Sequence, residues 1–239
     1  MLNHKFGNYT FSSIFSPDVQ SLNQRPEERR TSMASTQDQQ LPLRERNRLR
    51  TRADILDAAA EILSESGYAG TTVDELGQRA GVARGTLYAH FPGGREEIVR
   101  EAYLRVADAV YVRGISLREQ AVEVPDRIAA LARALLEAAA TPAGRFYGVM
   151  GSDMVAVLTR TGVPVGTSKS FEDLVRRDLD DARATGRLRA DAPTAALATA
   201  FCGAIGAAGT KVAADPDSAE QQIAAIRLLT QGLLAPSAG

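Results

Sequence analysis

The stretch Val73-Asp74-Glu75-Leu76-Gly77-Gln78-Arg79-Ala80-Gly81-Val82-Ala83-Arg84-Gly85-Thr86-Leu87 decides the fold. Thr72 is placed to cap a helix with Glu75 three residues on, the spacing of a capping box, and that helix runs to Ala80. Leu76 and Ala80 supply its inner face, and Gly77 is small enough for the next helix to cross close by. Gly81 permits a left-handed turn, Val82 fills the angle between the two helices, and Leu87 anchors the second from below. A helix pair built in this way leaves the outer face of a short third helix, Arg84 to His90, free to enter a DNA major groove.

Working outward, Ile55, Leu56, Ala59, Ile62 and Leu63 make one apolar stripe at three- and four-residue spacing on a preceding helix that Gly67 ends. Downstream, Pro92, Gly93 and Gly94 break the chain before a long helix from Arg95 to about Arg113, read as an inter-domain strut. Further helices are expected at about 126–140, 143–160, 168–185, 193–214 and 218–234, each bounded by Pro or Gly. No strand pattern is visible, so the architecture is all-α. Three segments follow: 1–42 as a disordered tail, 43–94 as a three-helix helix-turn-helix DNA-binding domain, and 95–239 as a larger helical domain. Met33 lies inside the tail and offers an alternative translation start.

Bulk properties exclude more than they assert. A chain of 239 residues with 44% hydrophobic content can bury a sizeable core, and its net charge of −1 advertises no nucleic-acid partner by itself. The signal is local: Arg44, Arg46, Arg48, Arg50 and Arg52 stand against Glu45 alone, a run of +4 that reads either as a basic arm on phosphates or as a solvated face. Only two histidines are present, His4 and His90, with no glycine-rich phosphate loop, metal-ligand spacing or nucleophile paired with a base. Catalysis is therefore not expected, and neither is a cofactor or a metal. The single cysteine, Cys202, reads as core packing. No run approaches the roughly 20 apolar residues of a membrane span, and no secretory signal opens the chain, so a cytoplasmic location is expected.

Thr71-Thr72-Val73, Ala80-Gly81-Val82, Gly85-Thr86-Leu87-Tyr88-Ala89-His90-Phe91 and Arg95-Glu96-Glu97-Ile98 together resemble the DNA-binding domain of the TetR family of repressors, over about 52–103. The resemblance implies that Thr72, Tyr88, His90 and Arg95 hydrogen-bond phosphates. Arg84 would read guanine with two donors, and Thr86 would make a weaker base or methyl contact. Simple packing under the recognition helix is the other reading of Tyr88 and His90. Two positions depart from the family pattern. Ala83 stands where Ser or Thr is usual, which removes a helix cap of about 1 kcal/mol, and Gly77 stands where Ala is usual.

The resemblance further implies a homodimer formed by the last two long helices, about 193–214 and 218–234. Ala200, Gly203, Ala204, Ala207 and Ala208 form a small-residue surface there, and Ile223, Ile226, Leu229 and Leu233 an apolar stripe, though packing within the monomer would use the same residues. For a small hydrophobic effector the candidate lining is Tyr103, Phe146, Tyr147, Met150, Met154 and Phe171, a set that plain core packing explains equally well. The expected function is a ligand-released repressor on a near-palindromic operator with half-sites ~34–36 Å apart. A sequence-nonspecific DNA-binding protein is the competing reading.

Overall fold

The computed structural model describes residues 42–148, 152–160, 162 and 169–235. The expected tail before 42 and Met150 lie outside the described residues, as does the side chain of Met154. Two compact units are separated at Arg48 and Leu49. Of the first, the described part is the opening of α1 (Leu43–Gly70), where Arg44, Arg46 and Arg48 are exposed and Arg48 pairs with Glu45 at 3.4 Å. All that follows concerns the second unit.

Helices α2 (Val73–Ala80) and α3 (Arg84–His90) complete the N-terminal three-helix array with α1. Then come α4 (Gly94–Glu119), α5 (Val124–Ala139), α6 (Arg145–Gly148), α7 (Ser152–Arg160), α8 (Lys169–Ala184), α9 (Thr194–Ala214), a single 3-10 turn Pro216–Ser218, and α10 (Ala219–Leu233). No strand occurs among the described residues. The apolar stripe of α1 is buried as its spacing requires, from Ile55 to Leu63. Gly67, at φ 64° and ψ −168°, breaks the helical geometry, and one further turn carries the chain to Gly70.

Helix α5 is the hub of the larger part, packed against α4, α6, α8, α9 and α10. Its sequence explains why: Val124, Ile128, Leu131, Ala132, Leu135, Leu136 and Ala139 bury two adjoining faces, and Pro125 starts the helix where a missing N–H is harmless. Helix α4 runs beyond the expected Arg113 because its last turns gain partners. Gly114 lets Phe171 approach so closely that a Cβ would sit 2.8 Å from its ring, and Arg118 reaches Asp178 of α8.

Within the span 143–160, where the sequence suggested one helix, the described residues are helical over Arg145–Gly148 and Ser152–Arg160. Gly148 backs onto Gly209 of α9, where a Cβ would meet the Gly209 carbonyl at 2.7 Å, and the Gly148 carbonyl accepts from the Thr210 hydroxyl at 2.8 Å.

Helix α9 also corrects the expectation that no segment suits a membrane, because its 21 residues are long and apolar enough by length and composition. One face packs into the core through Ala198, Phe201, Cys202, Ile205, Ala208 and Val212, while Ala200, Gly203 and Ala207 are exposed. On α10, Ile223 and Ile226 are buried within the monomer, as is Ala208 of α9, so these three leave the expected dimer surface. The outward residues are Leu228, Leu229 and Leu233. Leu197, Ala200, Phe201, Ala204, Leu229 and Leu233 line an apolar groove of about 230 Å³ between the two helices.

Candidate nucleic-acid interface

Helix α2 begins as its sequence dictates. Thr72 is in extended conformation, and its Oγ1 accepts from the Glu75 N–H at 3.1 Å. The reciprocal half of the capping box is not made, because the Glu75 carboxylate pairs with Arg79 at 3.3 Å and the Thr72 N–H donates to Gly70. Arg79 also meets Glu65 at 3.0 Å and so ties α2 to α1. The Arg79 guanidinium holds the Glu65 carboxyl below the usual carboxylate range, and this exposed tie loosens as falling pH protonates Glu65.

The turn is built from two glycines. Gly81 is left-handed at φ 66°, and Val82 donates to the Gly77 carbonyl at 2.9 Å. A Cβ on Gly77 would stand 3.0 Å from the Val82 carbonyl and 3.6 Å from Leu87, so the residue that weakens α2 also lets α3 approach. Leu76 and Leu87 are fully buried beneath the turn. Ala83, at the N-cap of α3 with φ −68° and ψ 152°, offers no side-chain acceptor. Ala83→Ser is expected to stabilise the protein by about 0.5–1.5 kcal/mol in urea titrations, since the backbone already has the capping conformation.

The C-terminal end of α3 is held by a residue that the sequence had assigned to the basic run. The Arg52 guanidinium lies 4.0 Å from the centre of the Phe91 ring, donates to the His90 carbonyl at 2.5 Å and pairs with Glu101 of α4. It fastens recognition helix, α1 and α4 together. The charge of Arg52 was visible in the sequence, but its partners, 38 and 49 residues away, were not.

Arg84, Gly85, Tyr88 and Ala89 form the solvent face of α3, while Thr86 and His90 are half-buried. The Tyr88 ring rests on Gly94, where a Cβ would stand 3.2 Å away, and the residue is still 41% exposed. Arg84 reaches Asp74 of α2 at 3.4 Å and lies 5.9 Å from the Tyr88 ring centre. Thr72 is exposed at the start of α2, and Arg50 is exposed on α1.

Arg95 has partners within the protein. Its guanidinium stacks 3.7 Å from the Tyr68 ring centre and donates to the Tyr68 carbonyl, binding the start of α4 to the turn after Gly67. Those partners give it a positioning role inside the protein.

Among the candidate effector residues, Tyr103, Phe146, Tyr147 and Phe171 are all buried. Tyr103 and Tyr147 face each other with ring centres 5.2 Å apart, and Phe171 meets Tyr111 at 6.2 Å. Burial and the hydrogen-bonded neighbour Tyr103 push the Tyr147 phenol far above its ordinary pKa, so it stays neutral. An open groove between α4 and α5, about 440 Å³, is bordered by Val106, Val110, Ala134 and Ala138, with Arg113 and Glu137 at its rim.

Among the described residues, helices without strands, an N-terminal helix-turn-helix and an exposed α3 carrying Arg84 define a DNA-binding domain joined to further helices. A model of the bacterial regulatory proteins of the tetR family matches residues 55–102. The chain is 40% identical over 52 residues to the HTH-type transcriptional regulator LmrA of Bacillus subtilis, covering 22% of this chain and 28% of that one. It is 31% identical over 87 residues to the HTH-type transcriptional repressor KstR2 of Mycobacterium tuberculosis, covering 36% and 43%. Both matches span less than half the length of the relative. The structure of a TetR-family transcriptional regulator from Pectobacterium atrosepticum superposes with a TM-score of 0.57 and 27% identity, over 80% of this chain and 97% of that one. Over residues 55–102 the chain thus carries a DNA-binding segment of the kind found in the tetR family of bacterial regulatory proteins.

Proposed function

We propose that the protein is a dimeric transcriptional repressor that holds a near-palindromic operator and lets go when a small hydrophobic effector binds. The observation that carries this reading is the exposed face of α3, presented by a turn whose Gly77, Gly81 and Leu87 geometry meets the requirements of a helix-turn-helix. Arg84 and Thr86 would read base edges. Thr72, Tyr88 and His90 would fix the register on phosphates, helped by the exposed Arg44, Arg46, Arg48 and Arg50, with Arg95 acting behind them through Tyr68. The domain boundary is placed at 94/95, and a cytoplasmic location goes with this reading.

The dimer is proposed on the outward faces of α9 and α10. A helix apolar all round needs cover on every side. α9 meets the monomer core on one side, and a second copy would cover Ala200, Gly203, Ala207 and the neighbouring Leu228 and Leu229. Two-fold symmetry then sets the half-site spacing at ~34–36 Å. For the effector, the buried set Tyr103, Phe146, Tyr147 and Phe171, with Met150 and Met154, is proposed as the lining. An effector that fits one setting of the heads better than the other shifts operator affinity by that difference.

Footprinting on the DNA upstream of its own gene tests the reading, followed by titration of two variants. Arg84→Ala should weaken the footprint ~10–100-fold and relax preference at one base pair, and Tyr88→Ala should weaken all sequences about equally. Unchanged binding by both variants would dismiss the interface. Equal affinity of the wild type for unrelated duplex would favour a nonspecific DNA-binding protein instead.

A further inference from the structure

An acidic side chain stands on the surface that should meet a polyanion. Asp74, in the first turn of α2, is 84% exposed, and its Oδ1 lies 3.4 Å from Nη1 of Arg84, itself 64% exposed. So open a pair adds little to folding. Its placement matters more, because Arg84 opens the recognition helix and its guanidinium has two neighbours on this face, the Asp74 carboxylate and the Tyr88 ring.

We propose that Asp74 is a specificity-determining residue, which holds the Arg84 fork toward base edges and penalises docking in which that arginine would merely grasp a phosphate. The inference rests on the helix-turn-helix reading above and assigns a role to a residue of α2 within it. Two effects follow from the geometry. First, a long, flexible arginine can satisfy itself on any phosphate, and a carboxylate at one side of its fork restrains it while leaving the outer N–H groups free for guanine O6 and N7. Second, a fixed negative charge on the DNA face repels the backbone in every register, so it costs nonspecific complexes their small margin. At the correct site the two-pronged base contact offsets that repulsion. An attractive element is thus coupled to a repulsive one at a single ion pair. Asp74 is a positioning residue here: it acts through Arg84.

The test uses the full-length protein, its own upstream DNA, single-base-pair variants of that site and an unrelated duplex, each at two salt concentrations. Asp74→Asn keeps the shape and removes the charge, and Asp74→Glu keeps the charge. Asp74→Asn is expected to bind unrelated duplex ~5–10-fold more tightly, with a salt slope steeper by about one, and to lose ~10-fold of its preference for the site. The loss should concentrate at the base pair that Arg84→Ala affects, and Asp74→Glu should restore most of it. In an Arg84→Ala background, Asp74→Asn should leave the base-pair profile unchanged. An unchanged specificity ratio in Asp74→Asn, or the same change in profile with and without Arg84, overturns the proposal while the regulator reading stands. A wild type that shows no preference for its site overturns both. Thermal melts of each variant separate these results from loss of fold, since Asp74 makes no buried contact that its removal would break.

Discussion

Leu228→Glu combined with Leu229→Glu is expected to convert the protein to monomers and to weaken binding to its upstream DNA by at least ~100-fold. Both leucines are more than half exposed in the single chain, at 65% and 57%, so charging them removes little from the monomer core. Their neighbours across the groove, Leu197, Ala200 and Ala204, are apolar as well, and glutamates brought against the same face of a second copy would lack any basic partner there. The DNA consequence comes from effective concentration. In a dimer the second recognition helix is delivered to its half-site at a local concentration of order millimolar, which supplies a ~10²–10⁴-fold gain that a monomer forfeits. Sedimentation velocity reads the first effect, and titration of a two-half-site duplex against a one-half-site duplex reads the second. If the variant sediments as a dimer, the α9 and α10 face is not the interface. If it is monomeric yet binds the full site as tightly as before, the operator is read by one head.

What the sequence disclosed follows the range of the interactions. The helix-turn-helix is local: Thr72 and Glu75, Gly77 and Val82, Ala83 and Leu87 lie within five residues of one another, so spacing alone placed α2 and α3 to within a residue. α1 showed the same stripe in sequence and in burial because a period of 3.6 is a property of one segment. Interactions across tens of residues left no such trace. Arg52 sat in a basic run and was counted with it, although Phe91, His90 and Glu101 claim its guanidinium; Arg95 likewise turned to Tyr68. In the larger part, Ile223 and Leu229 are equivalent as letters on an apolar stripe, yet the first faces α5 and the second faces out. Only the angle at which α10 lies on α5 distinguishes them. The aromatic set around Tyr103 and Tyr147 is in the same position: burial is common to a core and to a closed pocket, so neither sequence nor burial separates the two.

The largest effect on stability is expected from a residue to which the sequence assigned no role. Asp178 of α8 is completely buried, and its carboxylate accepts from Arg118 of α4 at 2.6 and 2.9 Å and from Arg127 of α5 at 3.4 Å. One anion thus joins three helices at the end of the long α4. The hydrogen bonds that Arg118 donates to Asp178 hold that guanidinium in its charged form and raise its already high ordinary pKa. Asp178→Ala removes the anion and leaves two partly buried cations facing each other across the gap, with the donors of Arg118 unpaired. Breaking a buried pair in this way costs about 3–5 kcal/mol, far more than the intact triad contributes over a well-packed apolar replacement. For a chain of this length that corresponds to a fall in Tm of roughly 10 °C or more. Asp178→Asn retains one acceptor and the shape, so it should fall between Ala and wild type. The sign with salt is also fixed: added salt screens the partly buried cation pair in the alanine variant to some extent, and its deficit should shrink while wild type changes little. Urea titrations of the three proteins at neutral pH, at low and high ionic strength, measure each of these. A Tm within 2 °C of wild type for Asp178→Ala would mean that the two arginines find water or other carboxylates, and that α4 is held at this end by Ile115, Leu117 and the Gly114–Phe171 contact instead.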